Sequence, residues 1–183
     1  MISIHSGFVG RPEKITDEAG VWESSIFRQA VFGPVELGSQ GIVGDQVTDR
    51  VHHGRPSQAV SVHPIEHYEY WNEQFRLEPR GQQLGPGSVG ENWTIEGGNE
   101  CTVCAGDTYS IGSSEVQVSG PRGPCWKQER RLKLPGFLND FDGRGTEESS
   151  WLLSAIDRAL VFLSSTTWIA TVTLPGRLRD PLI

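Results

Sequence analysis

The nine residues Ser119-Gly120-Pro121-Arg122-Gly123-Pro124-Cys125-Trp126-Lys127 carry the chain's most reactive arrangement of side chains. One cysteine follows a Gly/Pro turn and precedes a run of basic residues. Arg122, Lys127, Arg130, Arg131 and Lys133 are five of the 16 Lys and Arg residues, and between Gly120 and Leu134 only Glu129 opposes them. The protein as a whole is acidic, with a formal charge of -7, so cations are concentrated here. Nearby cations favour a thiolate over a thiol, and the thiolate is both the nucleophile and the metal ligand. Pro121 and Pro124 fix φ on either side of Arg122-Gly123, and glycines permit close backbone approach. Such a segment can hold one sulfur still in front of an anionic group. The same residues also suit a buried cysteine followed by a solvated basic helix start.

Other candidates are more ambiguous. His52 and His53 are adjacent, and on a strand they would point to opposite faces, so a shared metal is disfavoured against a polar loop with one hydrogen-bonded histidine. Gly87-Ser88-Val89-Gly90-Glu91-Asn92 reads as a tight turn that either presents Asn92 to a ligand or caps a loop. Cys101-Thr102-Val103-Cys104 has no second Cys/His pair at zinc spacing, and β-type residues come after it where a thioredoxin-like site wants a helix. It reads as structural.

Positioning these residues falls to many short elements. A chain of 183 residues reads as one domain with a substantial core, and 22 Gly and 11 Pro imply frequent turns and short strands. Ile2–Val9, Val35–Leu37, Gln58–Val62 and the segment from Trp93 read as strands, and Tyr109–Ile111 with Glu115–Val118 as a hairpin leading straight to Cys125. The short apolar pieces suggest a β-barrel or another compact all-β core. His63–Phe75 reads as a helix with Pro64 in its first turn and Ile65, Tyr68, Trp71 and Phe75 on one apolar face. His67 lies beside that face. Trp126–Leu134 reads as a second helix start. Ser150–Leu163 reads as helix or strand–helix, with another segment over Trp168–Leu174 and a polar tail from Pro175. The acidic balance argues against a nucleic-acid polymer as partner. No membrane span is expected, and Met1–Gly7 shows no secretory leader. Three cysteines do not form a disulfide framework, so a cytoplasmic home is expected.

The order of motifs resembles MOSC-domain proteins, and most closely the stand-alone YiiM-like branch. The carriers are Gly44-Asp45, Asp49, Val51-His52-His53-Gly54, Ala59-Val60, Pro64-x-Glu66-His67-Tyr68-x-x-Trp71, Gly87-x-x-Gly90-Glu91-Asn92, Gly106-Asp107 and Pro121-Arg122-x-Pro124-Cys125-Trp126-Lys127. The match runs from about Ser6 to about Leu132. It implies a mostly β (α+β), barrel-like domain with a few peripheral helices, its core over 1–145 and an atypical segment over 146–183.

It also implies a molybdenum-pterin cofactor with Cys125 as metal ligand, and reduction of N-hydroxylated bases with electrons from a flavoprotein or another redox partner. Arg28, His52, Gly54, Asn92, Arg122 and Lys127 would then contact the cofactor, and His52 or His67 would supply protons. The family is further associated with pyridoxal phosphate binding, and a homodimer is compatible with it. Two alternatives stay open: a sulfur carrier with a persulfide on Cys125, and a non-catalytic binding domain. The chain departs from the family pattern at His53, where a Gly is usual, at Gln58 in place of Lys, at Arg28 and Ala30 in place of a Lys-x-Pro element, and through most of the C-terminal third.

Overall fold

The computed structural model describes residues 2–99 and 101–139, and the strand backbones over 150–155 and 159–163. The strands are β1 (Ser3–Val9), β2 (Glu13–Asp17), β3 (Gly20–Ser24), β4 (Gln29–Val31), β5 (Gly33–Gly38), β6 (Gly41–Ile42), β7 (Val60–Pro64), β8 (Trp93–Glu96), β9 (Thr108–Ile111), β10 (Ser114–Arg122), β11 (Ser150–Ala155) and β12 (Ala159–Leu163). Two α-helices, α1 (Glu66–Gln74) and α2 (Trp126–Leu132), flank them. The mostly-β expectation holds. The barrel does not close among the described residues: an open seven-stranded sheet runs β4-β1-β8-β7-β11-β10-β9, beside a three-stranded sheet β12-β5-β6 and the hairpin β2-β3.

Alternating burial explains β10. Ser114, Val116 and Val118 face inward while Glu115, Gln117 and Ser119 face water, as period-2 patterning requires. A register shift between Val118 and Gly120 marks a bulge in its pairing with β11. Bulges bend a strand and re-aim the residues beyond them, and this one lies two residues before Arg122.

The pairing of β7 with β8 is parallel, and parallel neighbours need a crossover connection. Helix α1 and the loop over 75–92 supply it. This corrects the expected helix start. Pro64 pairs with Ile95 as the last residue of β7, and the Ile65 N–H then donates to the Ile95 carbonyl at 2.8 Å. The parallel ladder thus claims Pro64, and the helix begins at Glu66. Tyr68 and Trp71 bury the expected apolar face against Leu77, Val89, Leu134 and Phe137. A second cluster around Leu37, Val60, Val62, Trp93, Val116 and Val118 fills the other side of the sheet.

The segment read as helix or strand–helix is two strands. β11 inserts between β7 and β10, and β12 pairs with β5. A short apolar run does not separate a helix from a central strand by periodicity alone; pairing along both edges of β11 decides it. The segments expected over Trp168–Leu174 and from Pro175 lie outside the described residues.

Candidate functional site

Cys125 sits three residues beyond β10 and immediately before α2, in extended backbone (φ -133°, ψ 155°). Its N–H donates to Gln128 Oε1 at 2.9 Å, and Gln128 Nε2 donates to the Val89 carbonyl at 3.1 Å. Gln128 is buried. It therefore ties the cysteine backbone to the loop over 87–90, and leaving either group unpaired would cost about 1–3 kcal/mol.

Cys125 opens on a cleft with Arg28, Asp49, His53, Arg122 and Lys127, walled by Ser24–Ile26, Val47 and Thr48. The structure thus brings together four of the residues expected at the site: Arg28, Arg122, Cys125 and Lys127. Their electrostatic states differ. Arg28 Nε and Nη2 donate to the two carboxylate oxygens of Asp45 at 3.1 and 3.0 Å, and Nη1 donates to the Gly90 carbonyl. Both side chains of this ion pair are under a tenth exposed. Arg28 is a neutralised wall of the cleft. The side chains of Arg122 and Lys127, by contrast, make no hydrogen bond or ion pair among the described residues, though Lys127 Nζ lies 5.7 Å from the Trp126 ring centroid. Burial and the nearby Arg28 charge make protonation of Arg122 less favourable than usual, while Cys125, Asp45 and Glu91 oppose that effect.

Arg130 and Arg131 are structural. Arg130 grips Asp17 through Nε and Nη2 at 2.6 and 2.5 Å, fastening the β2–β3 hairpin to α2. It also lies over the Trp22 ring at 4.9 Å. Arg131 donates to the Ile26 carbonyl at 2.5 Å and covers Phe27, bracing the cleft wall.

Asn92 is a buried pin. Its Oδ1 accepts from the Ser61 N–H and hydroxyl, and its Nδ2 donates to the Phe8 carbonyl and to Asp45 Oδ2. It acts on the cleft through Asp45 and Arg28. His52 turns outward, three-quarters exposed, to Asp49 Oδ2 at 2.9 Å. That bond, with the His52 and Val51 N–H groups, lowers the Asp49 carboxyl to about 2. Gly54 has φ +80°, and a Cβ there would stand 2.5 Å from Val47 Cγ2; it shapes the turn behind the cleft wall. His67 is buried on α1 among His63 and Trp71, with ring centroids 5.0 and 6.1 Å away. It does not line the cleft.

Three further residues support the site, and sequence reasoning gave none of them a role there. Asp45 orients Arg28 and Asn92, and also accepts the Gly10 N–H at 2.7 Å. Glu91 Oε1 takes hydrogen bonds from the Tyr68 hydroxyl, the Gly87 N–H and the Thr94 hydroxyl. Gln128 holds the cysteine. Gly44-Asp45 and Gly90-Glu91 are visible as turn chemistry, but the partners of Asp45 lie 17 and more residues away. Cys101 and Cys104 are exposed free thiols, and no cluster of three or more metal-type side chains occurs among the described residues.

A part-buried cysteine beside Arg122 and Lys127, just past the end of a strand in an open mixed sheet, defines a mostly-β domain with a cysteine-and-cation cleft. Residues 49–163 match the MOSC domain. YflK of Bacillus subtilis, an uncharacterised protein, is 36% identical over 130 residues, 71% of this chain and 57% of YflK. A Gibberella moniliformis protein named Reductase is 34% identical over 116 residues, 63% of this chain and 20% of that protein. The crystal structure of YiiM from Geobacillus stearothermophilus superposes with a TM-score of 0.70 at 29% identity, covering 93% of this chain and 75% of that one. The chain belongs to the MOSC domain family. It spans little more than half the length of the curated relative YflK. No helix among the described residues is long and apolar enough to cross a membrane.

Proposed function

We propose that this domain is an oxidoreductase module that holds a molybdenum-pterin cofactor through Cys125 and reduces N-hydroxylated small molecules such as N-hydroxylated bases. One observation carries the reading: the side chains of Arg122 and Lys127 stand beside Cys125 with no ion pair among the described residues. A half-buried guanidinium without a partner is costly unless an anion arrives. The donor set fits the group. Thiolate is a soft ligand suited to a sulfur-rich metal centre, and a pterin phosphate and dithiolene bring the negative charge.

Arg122 would grip phosphate oxygens bidentately, and Lys127 would add a mobile point charge. Arg28, already held by Asp45, would keep its wall fixed and not serve as an anion ligand. Gln128 would hold the Cys125 backbone still while the sulfur is engaged. When bound, the cofactor supplies two-electron redox chemistry. The overall reaction, R–NHOH plus two electrons and two protons to R–NH2 plus water, needs a donor, and a flavoprotein is the proposed class. A relative named Reductase and the MOSC fold support this reading.

The test is reduction of 6-hydroxylaminopurine by the protein expressed in a cofactor-competent host, with reduced viologen as donor. Turnover that vanishes in Cys125→Ser is expected. Equal turnover in Cys125→Ser would overturn the assignment.

A further inference from the structure

We propose that His53 is the imidazole of this cleft and that, with Arg122 and Lys127, it forms the seat of one phosphate-type oxyanion. The proposal rests on the reading of the cleft as an anion site and goes further in naming its third donor. The turn over 49–54 assigns its two histidines opposite tasks. Asp49 Oδ1 accepts the N–H groups of Val51 and His52 at 3.0 and 3.2 Å, and Oδ2 takes the His52 ring at 2.9 Å. His52 is thereby drawn to the outside. The His53 N–H donates to the Asp49 backbone carbonyl at 3.1 Å, and its side chain falls on the cleft side.

The His53 ring is half-buried and makes no hydrogen bond among the described residues. It shares the cleft with two cations that also lack one. Three unspent donors on one rim, with no carboxylate among them except Asp49, suit an incoming oxyanion. Burial, then Arg122, then Lys127 hold the imidazole toward its neutral form against Asp49. A neutral ring still offers one N–H, and it does so without adding a third repelling charge to the rim.

The phosphate could belong to the cofactor or to a phosphorylated substrate, and the experiment separates the two. Histidine-ring resonances and calorimetry would follow a titration of the full chain, free of cofactor, with inorganic phosphate. The His53 signals should move and those of His52 should not. His53→Ala should weaken phosphate about 5- to 10-fold, the scale of a part-exposed hydrogen bond to a charged group. His53→Gln, which restores an N–H, should recover most of it. If His52→Ala weakens phosphate and His53→Ala does not, or if wild type binds no phosphate while Cys125 still retains molybdenum, the seat is overturned and the cysteine reading survives. In protein from a cofactor-competent host, loss of molybdenum in His53→Ala assigns the phosphate to the cofactor. Retained molybdenum with a KM raised for a nucleotide but not for its free base assigns it to the substrate. No change in either overturns the proposal.

Discussion

Asp45 is where the fold and the site can be separated by one substitution. Its carboxylate accepts two hydrogen bonds from Arg28 and one each from Gly10 and Asn92, in a pair whose side chains are 7% and 8% exposed. Asp45→Asn keeps the shape but leaves a buried guanidinium without its charge partner. Removing one member of a buried pair costs about 3–5 kcal/mol, whereas replacing both members with apolar residues is often neutral. Asp45→Asn should therefore lose about 3 kcal/mol in guanidinium denaturation. For a chain of this size that corresponds to a fall of about 6–12 °C in Tm.

The double substitution Arg28→Met with Asp45→Asn, which removes the unpaired guanidinium and keeps an amide oxygen for the Gly10 N–H, should recover most of that loss, giving a large coupling energy in the cycle. The released Arg28 charge should also tighten phosphate binding in Asp45→Asn, opposite to its effect on stability. A loss under about 1 kcal/mol, or a double variant no better than the sum of the singles, would refute the claim that Arg28 is neutralised and fixed.

Gly54→Ala forces a Cβ to 2.5 Å from Val47 Cγ2 at φ +80°. It should destabilise by about 1–3 kcal/mol, measured as a shift in the denaturation midpoint, and Val47→Ala should relieve the steric part. Arg130 lowers the Asp17 carboxyl from 3.8 to about 2 through its hydrogen bond, with further bonds from Ala19 and Trp22. A depressed carboxyl contributes stability that is fully present above its unfolded value and is lost as pH falls through the folded one. The docking of the β2–β3 hairpin should thus weaken between about pH 4 and pH 2. Tm measured across that range should show a step that Asp17→Asn abolishes; an unchanged step would contradict the pairing.

Local patterning made much of the fold legible. The alternation of Glu115–Ser119 predicts β10, and the apolar spacing of Tyr68, Trp71 and Phe75 predicts α1. Pairing is the part that local patterning does not carry. Pro64 belongs to a strand because Ile95 pairs with it from 31 positions along the chain, and 150–155 is a strand because β7 and β10 flank it. The site divides in the same way. Cys125 with Arg122 and Lys127 stands out because local charge contrasts with an acidic chain. Asn92 resembles a ligand because turn chemistry exposes polar side chains, yet Asp45, Ser61 and Phe8 consume its donors and acceptor. The choice between His52 and His53 depends on which one Asp49 captures, and adjacent identical residues carry no such signal.

If the cleft at Cys125 exists to hold a sulfur-ligated metal with an anionic cofactor, the decisive quantity is molybdenum per chain, measured by mass spectrometry of purified protein from a cofactor-competent host. Wild type should carry molybdenum in a fixed ratio approaching one. Cys125→Ser should carry almost none, and Arg122→Ala with Lys127→Ala should lose most of it with Cys125 intact. Wild-type protein without molybdenum, or a Cys125→Ser variant that retains it, would show that the cleft serves another purpose.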